Sequence, residues 1–426
     1  MQTKRRARAP ESPDAGRTAP GNIRSKARFN PSALGRFVGI VSGLAAGSAF
    51  AAPWVVTSTS DDVMDSGSLR HAIVHAAAGD TITFDLPNYP AAIQLTGSDA
   101  TYLDIQKSLT IIGPGTSKLT ITAAHTDMSN DNVFNVSMPA SPTADIDVAI
   151  SALRIDYAGA AIWCSGYAWG TQFKTNLTVD DVVLANNIDG IDVTYSATAA
   201  ITGSTINGVD TGIYVYSDEP SGGPSNVTIE RTTFSGNHAA VYNGGSNVTI
   251  TNATLVGNGY PSADPYWAAV NSDAASTTTL VYSTINGSAG LATPGLRAEH
   301  ADGVVNLKGT LIAGHPAGNC AGNAQIASLG HNLSDDASCN LAGAHDLDDT
   351  AAGLVSAGLA WNGGTTQTIA LLPDSPAMDA VPIADCTDAQ DQPLLIDQRG
   401  SVRPVGSGCE IGPWELNDRI FSAGFE

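Results

Sequence analysis

Asn226-Val-Thr-Ile-Glu-Arg-Thr-Thr-Phe-Ser-Gly-Asn237 returns further along the chain as Asn247-Val-Thr-Ile-Thr-Asn-Ala-Thr-Leu-Val-Gly-Asn258. Counted from its first apolar residue, the pattern starts at Val148, Leu177, Ala199, Val227, Val248, Thr278 and Val305, 21 to 30 residues apart. Two places in, every copy is apolar: Ile150, Val179, Ile201, Ile229, Ile250, Leu280, Leu307. Seven places in, every copy is apolar again: Ile155, Leu184, Ile206, Phe234, Leu255, Ile285, Ile312. Between them stands a residue that is usually small (Leu153, Val182, Ser204, Thr232, Ala253, Ser283, Thr310). Five copies carry glycine nine places in: Gly208, Gly236, Gly257, Gly287, Gly314. Such a period marks stacked like units, each of which needs a neighbour to bury its apolar face.

Further apolar pieces follow the copies: Ile191-Asp-Val193, Ile213-Tyr-Val215, Ala240-Val241, Ala269-Val270 and Leu296-Arg-Ala298. One coil therefore holds at least two strands joined at Gly/Asn turns, and the fold expected is an all-β parallel β-helix, a solenoid. Val, Ile, Leu and Phe suit strands buried in such a stack. Glycine and asparagine are expected at the corners because they accept left-handed backbone angles cheaply.

The composition agrees: 42% hydrophobic, 14% charged and 44 glycines fit a turn-rich β protein better than a helical one. Residues 1–36 hold nine basic residues, and an apolar run from Phe37 to Ala51 ends in Ala49-Phe50-Ala51. This order reads as a basic leader and secretory signal peptide over 1–51, too short and too rich in Gly and Ser for a membrane span. Its removal takes nine of the 20 basic residues and two (Glu11, Asp14) of the 41 acidic ones, leaving a net charge of −28. Such a surface repels nucleic acid, anionic bilayers and polyuronates. A monomer, extracellular or at the cell surface, is expected. Export permits disulfides among Cys320, Cys339, Cys386 and Cys409. Sequence neighbourhood favours 320–339 and 386–409 among the three pairings possible. Cys164 is left over as a buried thiol.

Ahead of the copies, Pro53–Thr57, Asp80–Phe84, Ile93–Leu95 and Ser108–Ile112 read as strands. Ser68–Gly79 reads as a helix, N-capped by Ser68, with Leu69, Ala72, Ile73 and Ala76 on one face, able to cover the open end of the stack. His71 and His75 mimic a metal pair at i, i+4 but lack a third ligand nearby, so a wet helix face is the reading preferred. From Asn319 the pattern breaks into a loop-rich segment holding the four cysteines. The chain thus divides into 1–51, N-terminal cap and first coils over 52–121, repeats over 122–316, C-terminal cap over 317–416, and a tail, 417–426.

These residues resemble known families. The array is similar to the right-handed parallel β-helix repeats of the pectin-lyase-like superfamily and to those of polymorphic outer-membrane proteins. More specifically, the chain resembles bacterial secreted choice-of-anchor Q proteins. That pattern runs through Asn319-Cys320, Asn332-Leu333, Cys339, Gly363-Gly364-Thr365 and Ser375-Pro376…Asp379, then Asp397-Gln-Arg-Gly400, Arg403-Pro404, Cys409-Glu-Ile-Gly412 and Glu415. Gly67-Ser-Leu-Arg70…Ala72-Ile73…Gly79-Asp-Thr-Ile-Thr-Phe84 matches the N-terminal module of such proteins. Pro413-Trp414 and Glu410 depart from the usual pattern. The ending Arg419-Ile-Phe-Ser-Ala-Gly-Phe-Glu426 resembles an I-F-x-D-G-F-E tail of exported proteins, with Ala423 in place of Asp. The resemblance implies a surface or secreted bacterial protein and names no chemistry.

Candidate chemistry is sparse. A polygalacturonase-like hydrolase needs N-T-D, D-D, G-H-G and R-I-K elements; only Asp180-Asp181 is present, since Gly314-His315 and Gly330-His331 lack the second glycine. Asp180 and Asp181, adjacent in a strand, point to opposite faces, so one lies inward or at a bend. A pectate-lyase-like enzyme would need a basic residue and calcium. The coils offer few bases (Arg154, Lys174, Arg231, Arg297, Lys308), and the carboxylates of Asp127…Asp131 or Asp346-Leu-Asp348-Asp349 lack a calcium-loop signature. No cofactor or metal is expected. A tighter reading is glycan contact. Asp192, Tyr214 and Arg297 are placed in one outward column, with Thr194, Tyr216, Tyr242, Asn271 and Glu299 in the next, and Trp163, Tyr195 and Trp267 nearby. Aromatic rings beside polar groups can stack sugars. Ligand contacts are expected at Tyr214, Tyr216, Tyr242, Trp267 and Asp192, and the carboxylates nearest a catalytic role are Asp180 and Asp192. The favoured function is adhesion or glycan contact without catalysis. Its alternatives are a polysaccharide lyase or glycoside hydrolase, and an inert scaffold.

Overall fold

The computed structural model describes residues 53–96, 101–123, 131–166, 172–217, 223–263, 267–322 and 325–416. The leader, the tail and Asp127 lie outside them. The chain winds as a parallel β-helix. One sheet gathers 19 strands from Trp54–Val56 to Leu333–Ser334, and a second gathers nine, from Leu103–Ile105 to Cys320–Gly322.

The copies stack residue for residue. Leu177 pairs with Val148 and Ala199, Ala199 with Val227, Val227 with Val248, Val248 with Thr278, and Thr278 with Val305. The two apolar columns named from the sequence are buried at every level. Each coil gives the first sheet two short runs, such as Asn226–Glu230 and Thr233–Ser235, and gives the second sheet one strand, here Ala239–Gly244.

Between the two runs stands a residue the sequence reading passed over. Four places into each copy, Ala152, Asp181, Gly203, Arg231, Asn252, Tyr282 and Gly309 all hold positive φ, between 44° and 58°. Only two are glycine. The coil must turn sharply there, and the interior stacking on either side outweighs the roughly 1–2 kcal/mol that a left-handed side-chain residue costs. The next residue turns inward and is buried, so it is small where the interior is narrow. At the other corner Tyr157 and Asn186 adopt the positive φ that Gly208, Gly236, Gly257 and Gly314 adopt in their copies. The asparagine after Gly236 and Gly257 is not a left-handed residue but a buried bridge. Asn237 accepts from Val209 N (3.1 Å), donates to Ile206 O (3.1 Å) and donates to Asn258 Oδ1 (2.9 Å). Asn258 in turn donates to Phe234 O (3.1 Å).

At the start of the stack the helix is shorter than expected, Leu69–His75. Ser68 caps it by accepting from His71 N, and Leu69, Ala72 and Ile73 enter the core. It stops because Ala77 N turns to Asp80 Oδ2 (2.8 Å), where the strand Asp80–Phe84 begins. Among the described residues no helix is long and apolar enough to cross a membrane.

The C-terminal segment contains both disulfides, Cys320–Cys339 and Cys386–Cys409, in the pairing that sequence neighbourhood favours. It also does more than close an end: it folds back along the ridge of left-handed residues. Thr366 Oγ1 donates to Arg231 O, Asn252 Nδ2 to Ile396 O, and Gly412 N to Gly309 O. Gln398 is buried against the coils, donating to Thr233 Oγ1 (3.0 Å) and accepting from Thr254 Oγ1 (2.6 Å). Arg403 lies over the Tyr282 ring, 4.5 Å from its centroid, and pairs with Glu415 at 2.9 Å.

Candidate functional site on the second sheet

The outward face of the second sheet carries Trp163, Asp192, Tyr214, Tyr242, Asn271 and Arg297 on successive coils. This corrects the columns drawn from sequence. Val241 faces Ile213 rather than Val215, which moves Tyr242 and Asn271 into the column of Asp192, Tyr214 and Arg297. A two-residue slip keeps each side chain on its own face, because strand side chains alternate, but changes which of them are neighbours.

In the corrected column Tyr214 and Tyr242 stack nearly parallel (7°, centroids 5.1 Å apart), and Tyr216 lies 6.2 Å from Tyr214. Trp267 tilts against Tyr242 at 5.7 Å and Tyr260 against Trp267 at 5.8 Å, while His238 stacks on Tyr260 at 4.2 Å. Six rings thus form one continuous track. The ladder breaks twice. Asn271 follows Tyr242, and a cleft of about 370 Å³ opens beyond that ring, lined by Trp267, Asp273, Arg297, Glu299 and His300. In the adjoining column Gly244 follows Tyr216, and a second cleft of about 540 Å³ opens there. A Cβ on Gly244 would stand 3.1 Å from Tyr216 and 3.2 Å from Tyr242, so the absence of a side chain lets both rings lie against the strand at the edge of this cleft. Tyr242, Asp273 and His300 border both clefts.

The polar groups between the clefts are fixed. Tyr242 OH donates to Asp273 Oδ2 (2.8 Å), while Asp273 Oδ1 lies 3.1 Å from His300 Nε2. Burial, and then this bond, holds the Tyr242 phenol well above its ordinary range, so it remains a neutral donor. Arg297 Nε pairs with Glu299 Oε2 at 2.6 Å. One coil further back, Asp192 lies between Trp163 and Tyr214, and burial together with the charge of Asp189 pushes its carboxyl up. Burial likewise pushes Asp189 up to about 6. Asp210 accepts from Tyr260 OH (2.9 Å) and faces His238 Nδ1 at 2.5 Å.

Tyr214, Tyr216, Tyr242 and Trp267 therefore lie together, with Asp192 at the edge of their track. Asp180 does not join them: it is exposed on the first sheet, and Asp181 occupies the bend there. Of the basic residues weighed for a lyase, Arg154 pairs with Asp156, Arg297 with Glu299 and Lys308 with Asp391, while Lys174 is exposed before the first sheet. Among the described residues no cluster of three or more His, Cys, Asp or Glu could hold a metal. Asp273, His300, Tyr260, His238 and Gly244 were missed from sequence because they sit at or beyond the strand ends, where coil length varies. A gap in a tyrosine column is legible only once the register is known.

A family model described as "Right handed beta helix region" matches residues 149–266. No curated protein sequence matches the chain. Among solved structures, an alginate lyase from Paenibacillus sp. str. FPU-7 is similar at 14% identity, over 69% of this chain and 97% of its own, with a TM-score of 0.43. Pectate lyase Pel9A is similar at 10% identity, over 86% of this chain and 97% of its own, with a TM-score of 0.45. Together with the in-register ladders, the family match makes this a right-handed parallel β-helix.

Proposed function

We propose that this chain is an exported glycan-contact protein that binds sugar on the outward face of its second sheet. The carrying observation is the aromatic ladder that stops at Asn271 and at Gly244, leaving the Tyr242 and Tyr216 rings beside open clefts rimmed by Asp273 and His300. An aromatic ring packs against the apolar side of a sugar while neighbouring polar groups take its hydroxyls. Two disulfides and the basic, then apolar, N-terminal sequence support export, and the C-terminal motifs support a choice-of-anchor Q protein at a bacterial surface. A glycan array with purified protein tests the reading. Retention of at least one glycan, lost on Tyr242→Ala and on Trp267→Ala, is expected; no retention on any array contradicts it.

A second reading, depolymerisation of the bound glycan, has one observation in its favour. Asp189, at about 6, and Asp192, also raised, lie in one strand beside the track, as a protonated acid for glycosidic cleavage would. Release of reducing ends, abolished by Asp192→Asn, would replace the binding reading with this one.

A further inference from the structure

The clefts also bear on which class of glycan they take, an inference that rests on the glycan-contact reading above. The basic side chains on their walls are Arg297, in the smaller cleft, and His300, in both, and each already faces a carboxylate: Arg297 meets Glu299 at 2.6 Å and His300 meets Asp273 at 3.1 Å. A uronate carboxylate entering beside Arg297 would meet the carboxylates of Glu299 and Asp273, on a chain whose formal charge is −21. A neutral sugar meets no such barrier. Paired carboxylates still accept hydrogen bonds from hydroxyls through their remaining lone pairs, and like-charge neighbours reject an anion more strongly than they reward a neutral ligand. We infer that the two clefts bind a neutral glycan, and that Glu299 sets this specificity in the smaller one by neutralising Arg297.

Glu299 is therefore a gate against acidic sugars, and its removal should change ligand class without touching the rings. The test is a paired titration at low salt. Neutral oligosaccharides (gluco-, manno-, xylo- and galacto-series) form one arm, with oligogalacturonate and oligoalginate forming the other, against wild type, Tyr242→Ala and Glu299→Gln. The expected result is binding in the neutral arm only, weakened at least tenfold by Tyr242→Ala. Glu299→Gln should then raise affinity for an acidic oligosaccharide at least fivefold, an effect lost again in 0.5 M salt as screening requires. Tyr242-dependent binding of uronates by wild type would overturn the neutral class and leave the clefts as a glycan site. Unaltered uronate affinity in Glu299→Gln would overturn the gate. No binding in either arm, or binding indifferent to Tyr242→Ala, would overturn the glycan-contact reading and this inference together.

Discussion

Tyr282 and Gly309 occupy the same bend on neighbouring coils, and they show how one column can tolerate different residues for different reasons. Tyr282 holds φ 44° and is buried, its ring turned over Gly309, where a Cβ would stand 2.9 Å from two ring carbons. Ala152 adopts the same backbone angle in its own coil, so φ alone does not require glycine there. The ring does. Gly309→Ala should therefore cost about 1–3 kcal/mol through overpacking. Gly203→Ala, whose Cβ would meet nothing closer than 3.4 Å, should cost only the about 1–2 kcal/mol of a left-handed alanine, which in Gly309→Ala adds to the overpacking; urea denaturation of both variants checks the contrast. Asn237 is a residue of another kind, tying coils through its amide. Asn237→Ala should destabilise by about 1–3 kcal/mol, because buried Val209 N and Ile206 O lose their partner. Equal stability of that variant and the wild type would remove the ladder from the account.

At the scale of the element, the coil was legible and its decoration was not. Interior positions announce themselves because burial demands Val, Ile, Leu or Phe at the same spacing in every copy, so Ile229 and Ile250 could be paired before any coordinates. The left-handed bend was hidden: stacking tolerates Ala, Asp, Arg, Asn and Tyr there, and no residue type marks it. The second-sheet strands keep one distance from the copy at Ile162, Ile191, Ile213 and Val241, each 14 places in, and drift only at Val270 and Leu296, where longer loops intervene. The constant spacing made the register of Tyr242 legible, and aligning Val241 with Val215 instead of Ile213 misplaced that ring by two residues. The cleft-forming gaps at Gly244 and Asn271 followed from that register. The C-terminal strap was equally hidden, since its contacts join residues far apart in sequence. Gln398→Leu should free this strap, because Thr254 Oγ1 loses its acceptor and the Thr233 and Thr366 hydroxyls lose the Gln398 Nε2 donor, keeping only their bonds to backbone carbonyls. Faster proteolysis within 335–416, with the coils still intact, is the expected outcome; an unchanged digestion pattern would show that the strap does not depend on Gln398.

The whole molecule couples the strap to the coils through one buried charge group. Glu410 is pushed up to about 9 by burial and by a hydrogen bond shared with Glu415, which itself pairs with Arg403 over Tyr282. The folded chain thus holds a proton that the unfolded chain releases near 4.5. The stability this proton carries is largest at low pH and declines as pH rises from about 5 to about 9. Glu410→Gln should flatten that decline and raise the melting temperature at pH 8, whereas a steeper loss at high pH in the variant would refute the assignment. The sheets, disulfides and strap make a rigid frame, and what the frame presents is the ladder with its two gaps. Gly244→Val addresses that claim most directly, because its Cβ, 3.1 Å from Tyr216 and 3.2 Å from Tyr242, would force both rings out of place and its methyls would crowd the cleft beside them. Calorimetric titration of an array-selected glycan into wild type and Gly244→Val should show at least a tenfold larger dissociation constant in the variant, with circular dichroism showing that both proteins are folded. Equal affinity in the two proteins would contradict a binding site on this face.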